Sequence, residues 1–139
     1  MEQWKTINRL PNYEISTTGK IRNIKKGNEL KVVTNNAGYK LVCLSYKNKK
    51  HTGYIHRLLA ETFIPTDLNK ETSVVNHIDQ NRNNNDISNL EWTTPLGNYV
   101  HHRTKLDSDH LIEITNLLDK MDYDQVSDTI NYMKTLLDK

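Results

Sequence analysis

The 139-residue chain holds a single cysteine, Cys43, which can form no intrachain disulfide and excludes a cysteine-rich zinc site. No stretch approaches the roughly 18 apolar residues of a membrane span. The amino end, Met1-Glu2-Gln3-Trp4-Lys5, has no apolar run behind it, so no secretory leader is expected. These absences set the expectation of a cytoplasmic protein that meets no membrane. Apolar residues make up only 35% of the chain, yet two Trp, seven Tyr and regularly placed Leu, Ile and Val leave enough for a modest core. There is no internal repeat and no long linker, and the length suits one domain with a small appendage.

The small net charge of +2 conceals a division. Residues 1–106 hold 16 Lys and Arg against nine Asp and Glu, a surplus of +7, whereas residues 107–139 hold three Lys against eight acids, a deficit of −5. A basic body suits a polyanion, and an acidic appendage suits a different task. Charge alone does not decide this, because small domains often differ by several charges.

Residues 1–35 read as short strands and turns. Tyr13-Glu14-Ile15-Ser16 and Lys20-Ile21-Arg22-Asn23-Ile24 flank a turn at Thr17-Thr18-Gly19. Residues 39–46 and 51–55 predict a hairpin whose tip, Lys47-Asn48-Lys49-Lys50, is cationic. A short helix from His56 to Phe63 follows and stops near Pro65. Val74 to His77 predicts a brief strand, residues 78–88 a polar loop, and Leu90 to Thr93 the answering strand. Asn is abundant, and the run Asn83-Asn84-Asn85 fits turn-rich structure. Thr94-Pro95 has the form of a helix N-cap and first turn, predicting a helix to about Thr104. Residues 107–139 predict two amphipathic helices, carrying Leu111, Ile114, Leu118 and Met121, then Val126, Ile130, Met133 and Leu137. Between them, Asp122 and Gln125 have capping-box spacing. The fold class expected is α+β: a small antiparallel β module over 1–55, a strand–loop–strand–helix unit over 56–106, and an acidic helical hairpin over 107–139.

In a tight ββα hairpin, Asn98 on the helix can face Asn76 and His77 on the first strand. Two carboxamide oxygens and one imidazole would then converge. Such oxygens are hard ligands for Mg²⁺ or Mn²⁺. An imidazole with an ordinary pKa near 6.5 can take a proton from water, and together these groups suit phosphodiester hydrolysis. On the residues alone the other reading stays open: a structural histidine, and asparagines serving turns.

The stretch Val75-Asn76-His77-Ile78-Asp79-Gln80-Asn81, followed by Asn85-Asp86-Ile87-Ser88-Asn89-Leu90-Glu91-Trp92-Thr93-Thr94-Pro95, resembles the HNH endonucleases of the phage homing type. His56-Arg57-Leu58-Leu59-Ala60-Glu61-Thr62-Phe63-Ile64-Pro65 is similar to the segment leading into that motif. Trp4-Lys5-Thr6-Ile7, Tyr13-Glu14-Ile15-Ser16 and Gly19-Lys20-Ile21-Arg22-Asn23 resemble the NUMOD4-like β module upstream of many such nucleases. The resemblance covers about residues 3–104. It implies a metal-dependent DNA endonuclease with a ββα-metal unit, yielding 5′-phosphate and 3′-hydroxyl ends, and a nickase when monomeric. His77 would be the general base, and Asn89 would tie down the loop and help orient it. Asn76 and Asn98 would hold one divalent ion, Mg²⁺ or Mn²⁺, at each active site. The resemblance also implies a phage-encoded protein acting in a bacterial host.

If those two are the only protein ligands, the sequence departs from the family pattern, because no carboxylate touches the ion. That departure motivates an alternative, a DNA-binding or regulatory protein on a catalytically weak HNH scaffold. Double-stranded DNA is the expected partner. Lys20, Arg22, Lys40, Lys49, His56, Arg57, Arg82 and Arg103 are the candidate DNA contacts, with Arg57 foremost. Phosphate repels a −5 segment, so residues 107–139 are expected to serve a homodimer or a protein partner rather than DNA.

Overall fold

A computed structural model describes residues 1–102 and 108–137. Eight strands run β1 (Trp4–Thr6), β2 (Tyr13–Ser16), β3 (Ile21–Asn23), β4 (Val32–Thr34), β5 (Lys40–Tyr46), β6 (Lys49–Tyr54), β7 (Val74–His77) and β8 (Leu90–Thr93). Four helices, α1 (Ile55–Phe63), α2 (Pro95–His101), α3 (Ser108–Leu118) and α4 (Tyr123–Leu137), complete the α+β fold. The strands form antiparallel sheets β1-β2-β3 and β4-β5-β6 and the two-stranded sheet β7-β8. The chain divides into two compact units, Met1–Pro65 with His77–Glu91, and Thr66–Asn76 with Trp92–Lys139. No helix among the described residues is long and apolar enough to cross a membrane.

In the first unit, α1 packs on β2, β5 and β6. Ile55, Leu58 and Leu59 recur on one side of the helix and are fully buried with Ile15, Ile21, Val42 and Leu44. Each such aliphatic side chain contributes about 1.5–3 kcal/mol relative to exposure. Pro65 disfavours helical geometry at Ile64, which is extended and caps the helix end through its N–H to the Ala60 carbonyl. The Tyr13 hydroxyl donates to the Ser45 carbonyl at 3.1 Å and accepts from the Ser45 N–H at 3.1 Å, joining the two three-stranded sheets. Gly19 has φ +80°, and a Cβ there would stand 2.9 Å from Ile55 Cγ2, so turn and packing both require glycine. The cationic hairpin tip is tighter than the sequence suggests. Lys47 and Asn48, at φ 49° and 60°, make a two-residue turn of the type I′ kind, and Lys49 and Lys50 belong to β6.

In the second unit, Thr94 caps α2 by accepting from the Gly97 N–H at 3.1 Å, with Pro95 in the first turn. The helix ends at His101, short of the expected Thr104, and residues 103–107 lie outside those described. Both α3 and α4 pack against α2. The Thr94 and Thr129 hydroxyls hydrogen-bond at 2.5 Å, and the Tyr99 hydroxyl donates to Glu113 at 2.7 Å. A Cβ on Gly97 would lie 2.4 Å from Thr93 Oγ1 and 2.8 Å from the Tyr132 ring, so this glycine lets α4 approach. Asp122 and Gln125 form a reciprocal capping box, with N–H to side-chain oxygen distances of 3.2 and 2.9 Å. The helical stripes are only partly covered: Ile114, Met121 and Val126 are half-buried, while Ile112, Leu118 and Ile130 are exposed. The side chains of Leu111, Met133 and Leu137 lie outside the described residues.

Candidate active site

His77 ends β7, is 4% exposed and precedes a tightly tied loop. Its carbonyl accepts from the Gln80 N–H at 2.9 Å, closing a turn in which Gln80 has φ +61°. The loop is held mainly by side-chain amides rather than apolar packing. Asn89 is central to it. Its Oδ1 accepts from the Asp79 N–H at 3.0 Å, and its Nδ2 donates to Asp79 Oδ1 and the Asn84 carbonyl, both at 2.9 Å. The Asn89 carbonyl accepts from the Ile78 N–H at 2.9 Å, next to His77. A short 3₁₀ turn, Ile87–Asn89, delivers Asn89 to this position, and Asp86 caps it by accepting from the Ser88 N–H at 2.9 Å.

Asp79 serves the same loop. Beyond Asn89, its carboxylate accepts from Asn84 Nδ2 at 2.7 Å and the Asn81 N–H at 2.8 Å. These donors hold its pKa below the usual carboxylate value, Asn84 contributing most, then Asn81 and Asn89, with a smaller effect from His77.

The His77 ring sits among other rings of the same unit. His77 Nε2 lies 2.9 Å from Asn85 Oδ1. The His56 ring is 5.1 Å away between centroids and the Tyr39 ring 6.3 Å. Tyr39 in turn lies 5.2 Å from His56, 5.8 Å from Tyr54 and 4.8 Å from the Arg82 guanidinium, which donates to the Ala37 carbonyl at 3.0 Å. Burial pushes the His56 pKa down from 6.5 to about 4, with smaller contributions from the charges of His77 and Arg57. His56 is therefore a neutral ring at pH 7, and its Nδ1 is buried without a hydrogen-bond partner among the described residues.

The predicted metal-binding asparagines lie in the second unit. Asn76 is 1% exposed on β7, and Asn98 is half-buried in α2, its N–H donating to the Thr94 carbonyl at 2.9 Å. Among the described residues no three His, Cys, Asp or Glu gather as metal ligands. Carboxamide oxygens suit a hard, water-rich cation.

Several predicted cationic contacts already engage partners. Arg22 pairs with Glu14 and lies 4.1 Å over the Trp4 ring. Arg57 pairs with Glu61 at 2.9 Å, and Lys20 with Glu2 at 3.4 Å. Lys20 and Lys40 line one shallow groove, Lys49 is exposed on the hairpin, and Arg103 lies outside the described residues. Sequence reasoning missed Tyr39, Tyr54, Asn84 and Asn85. The tyrosines join His56 only through the β4-β5-β6 sheet, which brings distant positions together. The asparagines had one available signal, their place between His77 and Asn89.

A strand ending in a buried histidine, an amide-tied loop, a returning strand and a Thr-Pro-capped helix follow one another along the chain in β-β-α order. Residues 2–45 match the NUMOD4 motif model, and residues 53–100 match that of the HNH endonucleases. The uncharacterized HNH endonuclease L245 of Acanthamoeba polyphaga mimivirus is 49% identical over 102 residues, covering 72% of this chain and 28% of that protein. The DNA endonuclease I-HmuI of Bacillus phage SP01 is 37% identical over 93 residues, covering 66% of this chain and 52% of that protein. A solved structure of the HNH homing endonuclease I-HmuI, described as showing DNA binding and cleavage, matches with TM-score 0.66 and 32% identity, over 82% of this chain and 66% of that one. The chain belongs to the HNH endonuclease family and carries an upstream NUMOD4 module. It spans from about a quarter to about half the length of these two relatives.

Proposed function

We propose that this chain is a metal-dependent DNA endonuclease in which His77 is the general base. The single observation that carries the reading is His77 itself: a nearly buried imidazole, ring-packed and hydrogen-bonded at one nitrogen, inside the segment that matches the HNH endonuclease model. His77 takes a proton from water as the water oxygen attacks phosphorus. The bond to the 3′ oxygen breaks, leaving 5′-phosphate and 3′-hydroxyl ends. Asn89 is a positioning residue that holds the loop immediately after His77. Asn76 and Asn98 would hold the divalent ion, Mg²⁺ or Mn²⁺. When bound, that ion would supply positive charge against the phosphate and the departing oxygen. Lys20, Arg22, Lys40, Lys49, His56, Arg57, Arg82 and Arg103 are the proposed DNA contacts, and residues 1–55, 56–106 and 107–139 the proposed functional segments.

Incubation of the pure chain with supercoiled plasmid and Mg²⁺ or Mn²⁺ tests the reading. Conversion to nicked circles, lost in His77→Ala, supports it. Equal nicking by His77→Ala refutes it. The carboxylate-free ligand pair favours a second reading, a DNA-binding protein on this scaffold. Salt-sensitive binding without cleavage in either metal would decide for it.

A further inference from the structure

The Asn run in the catalytic loop has a use that turn chemistry does not cover. Asn84 serves the loop, bonding Asp79 through Nδ2 and Asn89 through its carbonyl. Asn85 does not: its Oδ1 is 2.9 Å from His77 Nε2, and its Nδ2 is buried with no hydrogen-bond partner among the described residues. The oxygen end of this side chain thus meets the imidazole. An amide oxygen only accepts, so the nitrogen facing it must carry the hydrogen. A neutral imidazole has one N–H, so the other nitrogen is then the base.

We infer that Asn85 is a positioning residue that places the proton of His77 on Nε2 and leaves Nδ1 as the nitrogen that accepts the proton from water. Its consequence for the rate rests on the nuclease reading above; the proton placement does not. The rings of His56 and Tyr39 lie 5.1 and 6.3 Å from the His77 ring, so the amide sets the tautomer in a site shared with other rings. A carboxamide does this without adding charge beside the base, which a carboxylate would.

The test reads the proton directly, in the metal-free chain at pH 8. Two-dimensional ¹⁵N–¹H spectra of the histidine rings, with His77 assigned by loss of its signals in His77→Ala, report the tautomer from the ring nitrogen shifts. The expected result is Nε2–H in the native chain and a mixture of tautomers in Asn85→Leu. In plasmid nicking, Asn85→Leu lowers kcat about tenfold with KM changed less than about twofold, and Asn85→Asp, which retains the acceptor, recovers most of the rate. An Nδ1–H tautomer in the native chain overturns the inference, and so does an Asn85→Leu chain with native shifts and native kcat. The native spectrum needs no variant of Asn85 to fold. A native chain that shows Nε2–H but nicks no plasmid refutes the nuclease reading while upholding the proton placement.

Discussion

Acidification should destabilise the first unit through His56 before the carboxylates titrate. The folded pKa of His56 is about 4, against 6.5 for an ordinary histidine, because burial penalises the imidazolium. Between those values the unfolded chain binds more protons than the folded one. Stability is therefore intact above pH 6.5 and lost as pH falls toward 4. At about 1.4 kcal/mol per pKa unit, the full loss is about 3 kcal/mol, and about 2 kcal/mol of it has occurred by pH 5. Glu2, Asp79 and Asp86, whose folded pKa values are also lowered, act below the ordinary carboxylate range and so contribute little at pH 5.

Urea unfolding followed by Trp4 fluorescence in a Trp92→Phe background measures this, since Trp4 belongs to the first unit and Trp92 to the second. With a slope of about 1–3 kcal/mol per molar urea, the midpoint should fall by about 1 M between pH 7.5 and pH 5. His56→Phe keeps a ring beside Tyr39 and His77 but cannot titrate. Its midpoint should fall by less than about a third as much. If both chains lose the same stability over this interval, the buried neutral imidazole is not the source, and the reasoning fails.

Asn89→Ala removes three hydrogen bonds from a nearly buried amide and strands the Asp79 N–H and the Asn84 carbonyl. A loss of about 1–3 kcal/mol is expected by urea titration, and nicking should fall with it. Gly97→Ala should destabilise the second unit by about 1–3 kcal/mol, because the new methyl meets Thr93 Oγ1 and the Tyr132 ring; Trp92 fluorescence in a Trp4→Phe background reports it. Deleting residues 107–139 removes Thr129 and Tyr132 from α2, so the same Trp92 midpoint should drop. DNA affinity should fall linearly in log–log form with added salt, and replacing a Lys or Arg that neutralises one phosphate should flatten the slope by about one.

The ββα order, the Thr94 cap and the Asp122–Gln125 box are legible in the sequence because each depends on residues close together along the chain. The hairpin tip is harder to read, because Lys49 and Lys50 suggest a turn by their charge, whereas two positive-φ residues suffice to reverse the chain. The surroundings of His77 are less legible still. Its neighbour His56 reads as a DNA contact in the sequence, yet it is a neutral ring packed against Tyr39, and only the pairing of β5 with β6 and the start of α1 brings these groups together. Arg57 and Arg22 stand out as cations, but their local carboxylates, Glu61 and Glu14, are four and eight residues away and take part of that charge.

The placement of Asp79 bears on the proposed ligand pair. It is the acidic residue nearest His77 in sequence, and carboxylates are ordinary ligands of hard cations. Three donors already occupy its two oxygens, two of them side-chain amides of the loop it closes. Turning it to an ion would break the bond to Asn89 and release the turn that follows His77. The carboxylate therefore stabilises the loop that follows His77, and serving as a direct ligand would cost it bonds within that loop. The two proposed ligands, Asn76 and Asn98, are neutral, so metal affinity should be weak in the free chain and rise when DNA phosphates bind. Titration of Mn²⁺ with and without a non-cleavable phosphorothioate duplex measures that coupling, and equal affinity in both would contradict it.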